Sequence, residues 1–205
     1  MTYAGGVGRT SDAKEKILAA ARSLIEARGY SALGVAEICT AAGVPKGSFY
    51  HFFESKESLA LAVVDEHWLA QKCDWTRVLD GDAAPLDRLR QLFEQTEAAQ
   101  HTAQQGCGTV SGCLFGNLTL ELSNQTEAVC ARLQEIFEAQ IDLVESVVAE
   151  ARERGDAAVT DPREAARAVV AQLEGQVLFA KLYNNTDRLT PLWQNCRALL
   201  GATAA

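Results

Sequence analysis

The chain has 205 residues, 48% of them hydrophobic, and a net charge of −8 at pH 7. That length holds one domain, or a small domain joined to a larger one, with enough apolar residues for a core. No run approaches the roughly 18 apolar residues of a membrane span, and the glycine-rich residues 1–10 lack the apolar centre of a signal peptide. We therefore expect a cytoplasmic protein with a flexible N-terminus and no membrane partner.

The six cysteines and three histidines form no recognisable metal or catalytic motif. The sequence contains no Cys-x-x-Cys pair and no histidine at zinc-ligand spacing, and cytoplasmic thiols are normally reduced. It also lacks a nucleophile elbow, a glycine-rich phosphate loop and a pair of catalytic carboxylates that can be placed. We expect no metal, no cofactor and no enzyme activity.

Residues 33–59 predict two short helices separated by a tight turn, followed by the start of a longer helix. In the first, about residues 35–42, apolar side chains recur at spacings of three and four, and Gly43 ends the helix. Pro45 suits the entry to the second, about residues 46–53, which is too short to be stable alone. We expect Phe49 and either Phe52 or Phe53 to anchor it to a core. Such a unit fits a DNA major groove.

The second short helix carries groups suited to nucleic acid. Donors for phosphates and base edges are supplied by Lys46, Ser48, Tyr50 and His51. Gly47 costs about 1 kcal/mol in a helix relative to alanine, so we expect its bare backbone to approach a sugar–phosphate strand. Ser55 is placed to cap the next helix. Lys56 lies at that helix's positive end, where a lysine is unfavourable unless a phosphate binds there.

The negative charge of the chain lies outside this unit. Residues 1–60 carry seven basic and six acidic side chains, a net of +1, whereas the remaining 145 carry 12 basic and 21 acidic ones, a net of −9. A nearly neutral DNA-binding unit predicts weak nonspecific affinity for nucleic acid, as suits a specific and releasable regulator.

The rest of the chain predicts helices, since it has few prolines and long runs of Ala, Leu, Glu, Gln and Arg. A long helix at 56–79 has an inner side formed by Leu59, Val63, Val64, Trp68 and Trp75. Further helices are predicted at 84–103, 112–123, 127–154, 162–183 and 191–200, with a loop at 104–111. The predicted fold class is all-α.

Three segments resemble the signature of the TetR family of transcriptional regulators: 42–44 (Ala-Gly-Val), 47–53 (Gly-Ser-Phe-Tyr-His-Phe-Phe) and 55–59 (Ser-Lys-Glu-Ser-Leu). Residues 17–30 also match the family's first helix and its end, so the resemblance covers about residues 11–70. It implies a nine-helix architecture with a helix-turn-helix DNA-binding domain at 11–55 and an effector-binding and dimerisation domain at 56–205.

The chain departs from the family at the start of the second helix. A Thr-Thr pair usually opens that helix, and its hydroxyl caps the helix and touches phosphate, whereas Leu33-Gly34 stands here. Gly34 can serve only as a weak cap. We include Gly34 and Val35 among the residues expected to contact DNA.

The last two predicted helices carry small and branched residues on successive turns. These are Ala165, Val169, Leu173 and Val177, followed by Leu192, Cys196 and Leu199. Such a face could be buried within one protomer. The family resemblance implies instead that it forms half of a four-helix homodimer interface. A dimer also suits a palindromic operator, because reading helices about 34–36 Å apart match successive major grooves.

The resemblance implies an effector pocket within the C-terminal helices. Ser111 is placed to cap a helix with Cys113 in its first turn, where exposed amides and the helix dipole favour a thiolate. Residues 108–114 and Ala180-Lys181 resemble a branch of the family that senses electrophiles through cysteine, in which Lys181 would further stabilise the thiolate. Cys113 could equally be a small buried hydrophobe beside an ordinary noncovalent ligand. The candidate effector set is Cys113, Lys181, Phe115, Asn117 and Trp68.

Taken with the resemblance, these patterns predict a DNA-binding regulator that acts as a repressor. We expect it to bind double-stranded operator DNA as a dimer and to be released by a small-molecule effector or by modification of Cys113. The alternative is a thiol-dependent redox protein or enzyme that does not bind DNA.

Overall fold

The computed structural model describes residues 7–202, and it describes side chains from Asp12 onward. The helices in this range are α1 Val7–Arg28, α2 Val35–Ala41, α3 Lys46–Phe52, α4 Lys56–Leu79, α5 Pro85–Cys107, α6 Leu114–Leu122, α7 Glu127–Glu153, α8 Pro162–Tyr183 and α9 Leu192–Leu199. A single 3-10 turn, Thr186–Leu189, lies between α8 and α9. The all-α prediction with nine helices is thereby confirmed for the described part of the chain.

Helix boundaries agree with the sequence patterns where capping residues are strong. Helices α4 and α8 have the predicted bounds, and the carboxylate of Asp161 caps α8 by accepting hydrogen bonds from the backbone N–H groups of residues 163 and 164. Helix α5 runs four residues beyond its predicted end, because Gly108 adopts the left-handed conformation that ends it. The predicted flexible segment 1–10 lies mostly outside the described residues, and its last four residues begin α1.

The chain forms two compact units. The first comprises the chain up to His67 together with Asn117–Leu133, and the second comprises Trp68–Gly116 and the chain from Gln134 onward. In the first unit, Ile17, Ile38 and Phe49 from successive helices are almost completely buried. Phe49 and Phe53 are both buried and their rings pack against each other, so the predicted anchoring of the short α3 is confirmed.

The second unit has its core among α5, α7, α8 and α9. Leu89, Val148 and Val170 are among its buried members. The Arg88 guanidinium is also buried, and it donates to the carbonyl of Leu79 at 2.5 Å and to the Glu150 carboxylate. Within the described residues, no helix is long and apolar enough to cross a membrane.

The stripe predicted to form the dimer interface faces this core instead. Val169, Leu173, Val177, Leu192 and Cys196 are buried within the protomer, and Ala165 packs against them. Leu199, by contrast, is 47% exposed. The prediction was wrong for the buried residues because helical spacing identifies an apolar face but not what covers it.

The exposed apolar side chains of α8 lie on another side of the helix, near its C-terminal end. They are Leu178, Phe179, Leu182 and Tyr183, of which Leu182 is 69% exposed. Phe179 and Tyr183 stack on each other with ring centroids 6.5 Å apart. Large side chains left in water over one helical face are unusual in a monomer.

Candidate nucleic-acid interface and regulatory site

The turn between α2 and α3 has the geometry that the sequence predicts. Gly43 has φ +65°, a left-handed conformation that glycine adopts readily. The N–H of Val44 donates to the carbonyl of Cys39 at 3.0 Å, and the N–H of Gly43 donates to that of Thr40 at 3.1 Å. These bonds satisfy the last carbonyls of α2 and fix the angle at which α3 leaves.

Helix α3 separates a buried side from an exposed one. Phe49 is fully buried, whereas Tyr50 is 58% exposed. Lys46, Gly47 and His51 are also exposed, so with Tyr50 they occupy one face at spacings of one, four and five residues. Ser48 is half-buried. This face presents ammonium, imidazole, hydroxyl and bare backbone groups to solvent.

Two glycines in the unit are not required by its own packing. A Cβ added at Gly34 or at Gly47 would lie more than 4 Å from every neighbour described beyond the adjoining residues and local helix backbone. Gly34 is the N-cap of α2, with extended backbone and no side-chain bond to the helix, as expected for a weak cap. Gly47 therefore has no intramolecular reason to be glycine, which favours the predicted approach of another surface.

Lys56 makes internal contacts that the sequence did not predict. Its Nζ donates to the carbonyls of Tyr30 at 3.1 Å and Leu33 at 3.0 Å, and it lies 4.0 Å from the centroid of the Tyr30 ring. Burial lowers the pKa of Lys56, while the negative charge of Glu121 raises it. These contacts engage the ammonium that the sequence assigned to a phosphate. They could not be predicted, because the two carbonyls lie more than 20 residues earlier in the chain.

The predicted cap of α4 is present. The N–H of Ser58 donates to Ser55 Oγ at 3.0 Å, and the N–H of Ser55 donates back to Ser58 Oγ at 3.1 Å. This reciprocal pair is a capping box with a serine in the position of the usual glutamate.

Glu121 is a residue of the DNA-binding unit that the sequence patterns did not indicate. Its Oε1 accepts from the N–H of Tyr30 at 2.9 Å, and its Oε2 accepts from the N–H of Ser31 at 2.7 Å. Glu121 lies on α6, about 90 residues away in the chain. No local pattern in the sequence could have paired it with this turn.

Cys113 lies directly before α6 rather than in its first turn. Its sulfur accepts from the N–H of Gly116 at 3.5 Å, so the cysteine takes the capping position that we assigned to Ser111. Burial raises the pKa of the Cys113 thiol well above its usual range, and the negative charge of Glu174 raises it further. Loss of hydration and a like charge therefore both oppose the predicted thiolate, against the helix amides that favour it.

Glu174 also occupies the place that the sequence assigned to Lys181. The Cys113 thiol hydrogen-bonds to the Glu174 carboxylate, and burial raises the pKa of Glu174. A Cβ at Gly116 would lie 2.7 Å from Glu174 Oε2, so the glycine allows this close approach. Lys181 is half-buried on α8, about two turns beyond Glu174.

The other predicted effector residues are only partly brought together. The rings of Trp68 and Phe115 meet edge to face with centroids 6.2 Å apart, and both side chains are buried. Asn117 is half-buried and belongs to the first unit. A residue not predicted, Gln140, is 1% exposed and donates to Gln71 Oε1 at 2.9 Å. The Oε1 of Gln140 has no partner among the described residues.

Two family descriptions cover most of the chain. Residues 17–63 match the bacterial regulatory proteins of the tetR family, and residues 85–195 match the tetracyclin repressor-like C-terminal domain. The HTH-type transcriptional repressor NemR of Escherichia coli (strain K12) is 30% identical over 182 residues, which are 87% of this chain and 88% of that protein. The transcriptional regulator AcuR of Cereibacter sphaeroides is 35% identical over 189 residues, or 90% of this chain and 83% of that protein.

Solved structures give the same result. The regulatory protein TetR from Rhodobacter sphaeroides superimposes with a TM-score of 0.83 at 31% identity, covering 91% of this chain and 98% of that chain. The reduced form of E. coli NemR superimposes with a TM-score of 0.82 at 28% identity, covering 95% of this chain and 100% of that chain. These relatives are transcriptional regulators with a helix-turn-helix rather than enzymes. The chain belongs to the TetR family of bacterial transcriptional regulators.

Proposed function

We propose that this regulator is a repressor that binds a palindromic operator as a homodimer and is released by an effector acting on its C-terminal part. The observation that carries this proposal is the exposed face of α3, where four adjacent groups suited to DNA stand on a helix anchored by the buried Phe49. Residues 11–55 serve as the DNA-binding domain and residues 56–205 as the effector-binding and dimerisation domain. Because it binds operator DNA, we expect this protein to act in the cytoplasm.

The proposed DNA contacts divide by their chemistry. Lys46 and the backbone of Gly47 approach phosphates, whereas Tyr50 and His51 reach base edges. The proposed contacts also include Gly34 and Val35, at the start of α2, and the half-buried Ser48 of α3. Lys56 acts indirectly, since its ammonium holds the turn before α2.

The homodimer is supported by the exposed apolar face of α8 rather than by the stripe first considered. Leu178, Phe179 and Leu182 recur at helical spacing, and Leu199 on α9 is also exposed. Helix α8 packs against α9 within the protomer, so two protomers can join these pairs in a four-helix arrangement. A two-fold axis makes such a face self-complementary.

The effector proposal favours noncovalent binding over a reactive thiolate. Burial and the Glu174 carboxylate raise the pKa of the Cys113 thiol, and a protonated thiol is a poor nucleophile. Trp68 and Phe115 supply an apolar wall, and Gln140 supplies a buried acceptor with an unused oxygen. Lys181 and Asn117 remain predictions for this site, and modification of Cys113 remains the second candidate for release.

The experiment is quantitative binding of the full chain to DNA from upstream of its own gene. We expect footprinting to show a palindromic protected site, with Lys46→Ala and Tyr50→Ala weakening it. Treatment with N-ethylmaleimide, compared between wild type and Cys113→Ser, separates the two modes of release. Thiol-dependent turnover in the absence of DNA binding would contradict the proposal and support the redox alternative.

A further inference from the structure

The turn that joins α1 to α2, residues 29–33, is held from two sides by side chains remote in sequence. Glu121 of α6 accepts hydrogen bonds from two successive backbone N–H groups, those of Tyr30 and Ser31. Lys56 of α4 donates to two carbonyls, those of Tyr30 and Leu33. The same short segment thus has both its donors and its acceptors satisfied by charged groups.

The carboxylate of Glu121 makes the shorter and more specific of these contacts. Its two oxygens accept at 2.9 and 2.7 Å, so both are used and the side chain forms a fork across two successive peptide units. Hydrogen bonds to a charged acceptor are stronger than neutral ones. Gly29 makes room for the fork, because a Cβ at this position would lie 2.7 Å from Glu121 Oε1. Gly29 also has φ +80°, which favours glycine independently.

The held turn leads directly into the DNA-binding helices. Leu33 is buried, and the next residue, Gly34, is the N-cap of α2, whose backbone carbonyl accepts from the N–H groups of Glu37 and Ile38. Helix α2 continues through the Gly43 turn into α3. Gly34 has no side-chain cap, so the entry to α2 depends on how the preceding turn is fixed. Whatever fixes residues 30 and 31 therefore helps to orient α3.

We infer that Glu121 is a positioning residue for operator recognition, which holds the α1–α2 turn so that α3 presents its exposed face at the angle the major groove requires. This inference rests on the proposed function.

The test compares Glu121→Gln with Glu66→Gln in the full-length protein. Glu66 is exposed on α4 and belongs to the same compact unit, so both variants remove one negative charge from that unit. Glutamine offers one acceptor oxygen and places an NH₂ group against the other N–H. We expect the Glu121 variant to bind the operator about tenfold to a hundredfold more weakly, with nonspecific duplex affinity matching that of the control.

Two further measurements separate positioning from a structural contribution. Amide exchange at Tyr30 and Ser31, followed by NMR, should accelerate in Glu121→Gln while exchange in the α4 core around Ala60 is unchanged. Glu121→Asp keeps the charge but is one methylene shorter, so it cannot reach both N–H groups, and it should also lose operator affinity. This variant also serves if Glu121→Gln does not fold.

Distinct outcomes would overturn the inference. A lower Tm with unchanged operator Kd well below that temperature would show that Glu121 only stabilises the fold. If the variant's affinities for operator and for nonspecific DNA fall by the same factor, Glu121 does not set the angle at which α3 enters the major groove. If the wild-type chain binds no operator at all, the proposed function fails first, and the positioning role fails with it.

Discussion

Replacement of Gly47 by alanine should stabilise the protein and weaken its hold on DNA. Gly47 is the second residue of α3, is exposed, and has open space where a Cβ would be added. Alanine reduces the conformational freedom of the unfolded chain and favours the helix by about 0.4–1 kcal/mol. For a protein of this length the melting temperature should rise by about 1–4 °C.

The weaker binding to the operator follows from the methyl group that alanine adds. If the backbone N–H of Gly47 donates to a phosphate, that charge-assisted hydrogen bond contributes about 1.5–3 kcal/mol. A methyl group that prevents the approach therefore lowers operator affinity by about tenfold to a hundredfold. The two effects have opposite signs, so general damage to the fold cannot produce both.

The assay pairs thermal unfolding with fluorescence anisotropy on a labelled operator. Gly106→Ala is the matched control, because Gly106 is also an exposed helical glycine with open space where its Cβ would lie. We expect it to be stabilised to a similar extent with unchanged operator affinity. The interpretation of Gly47 would be refuted by an alanine variant that binds the operator as tightly as the wild type.

Three further predictions concern charge, assembly and pH. Lys46→Gln should reduce the slope of log Kd against log salt concentration by about one phosphate contact. Lys56→Gln should leave the slope unchanged and lower the stability of the fold, because Lys56 donates hydrogen bonds internally. A reduced slope for the Lys56 variant would support the phosphate contact predicted from the sequence. Leu182→Glu should yield monomers in analytical ultracentrifugation. The control Leu69→Glu should remain dimeric, although it alters a side chain that is 68% exposed on α4. A dimeric Leu182 variant would place the interface elsewhere. Burial, assisted by the charge of Arg22, lowers the pKa of His67 from 6.5 to about 4. Because the unfolded state binds more protons between these values, the free energy of unfolding should fall by about 2 kcal/mol from pH 7 to pH 5. His67→Gln should remove most of that fall, and a variant with the wild-type pH dependence would contradict the assignment to His67.

The sequence predicted elements well where a local signal determines them. Pro162 and Asp161 mark the start of α8, and Gly43 marks the turn between α2 and α3, because capping and left-handed glycine are properties of a few adjacent residues. The class of protein also followed from one contiguous stretch. The order of polar and apolar residues in α3 was enough to separate the buried Phe49 from the exposed Tyr50.

The sequence failed where the partner of a group lies far away in the chain. Lys56 was assigned to a phosphate because its carbonyl partners in the α1–α2 turn could not be seen. Cys113 was assigned a low pKa from the helix that follows it, whereas burial, and then the charge of Glu174 on another helix, raise that pKa. Val169 and Leu173 were assigned to a dimer because the stripe they form does not reveal that the protomer's own core covers it.

The central claim, that a dimer reads one palindromic site through α3, is tested most directly by measuring stoichiometry and affinity together. Sedimentation with a labelled operator found by footprinting should show two protomers on one duplex, and Tyr50→Ala should abolish that complex while the free protein remains dimeric. One protomer per duplex, or an unaltered complex with Tyr50→Ala, would contradict the account.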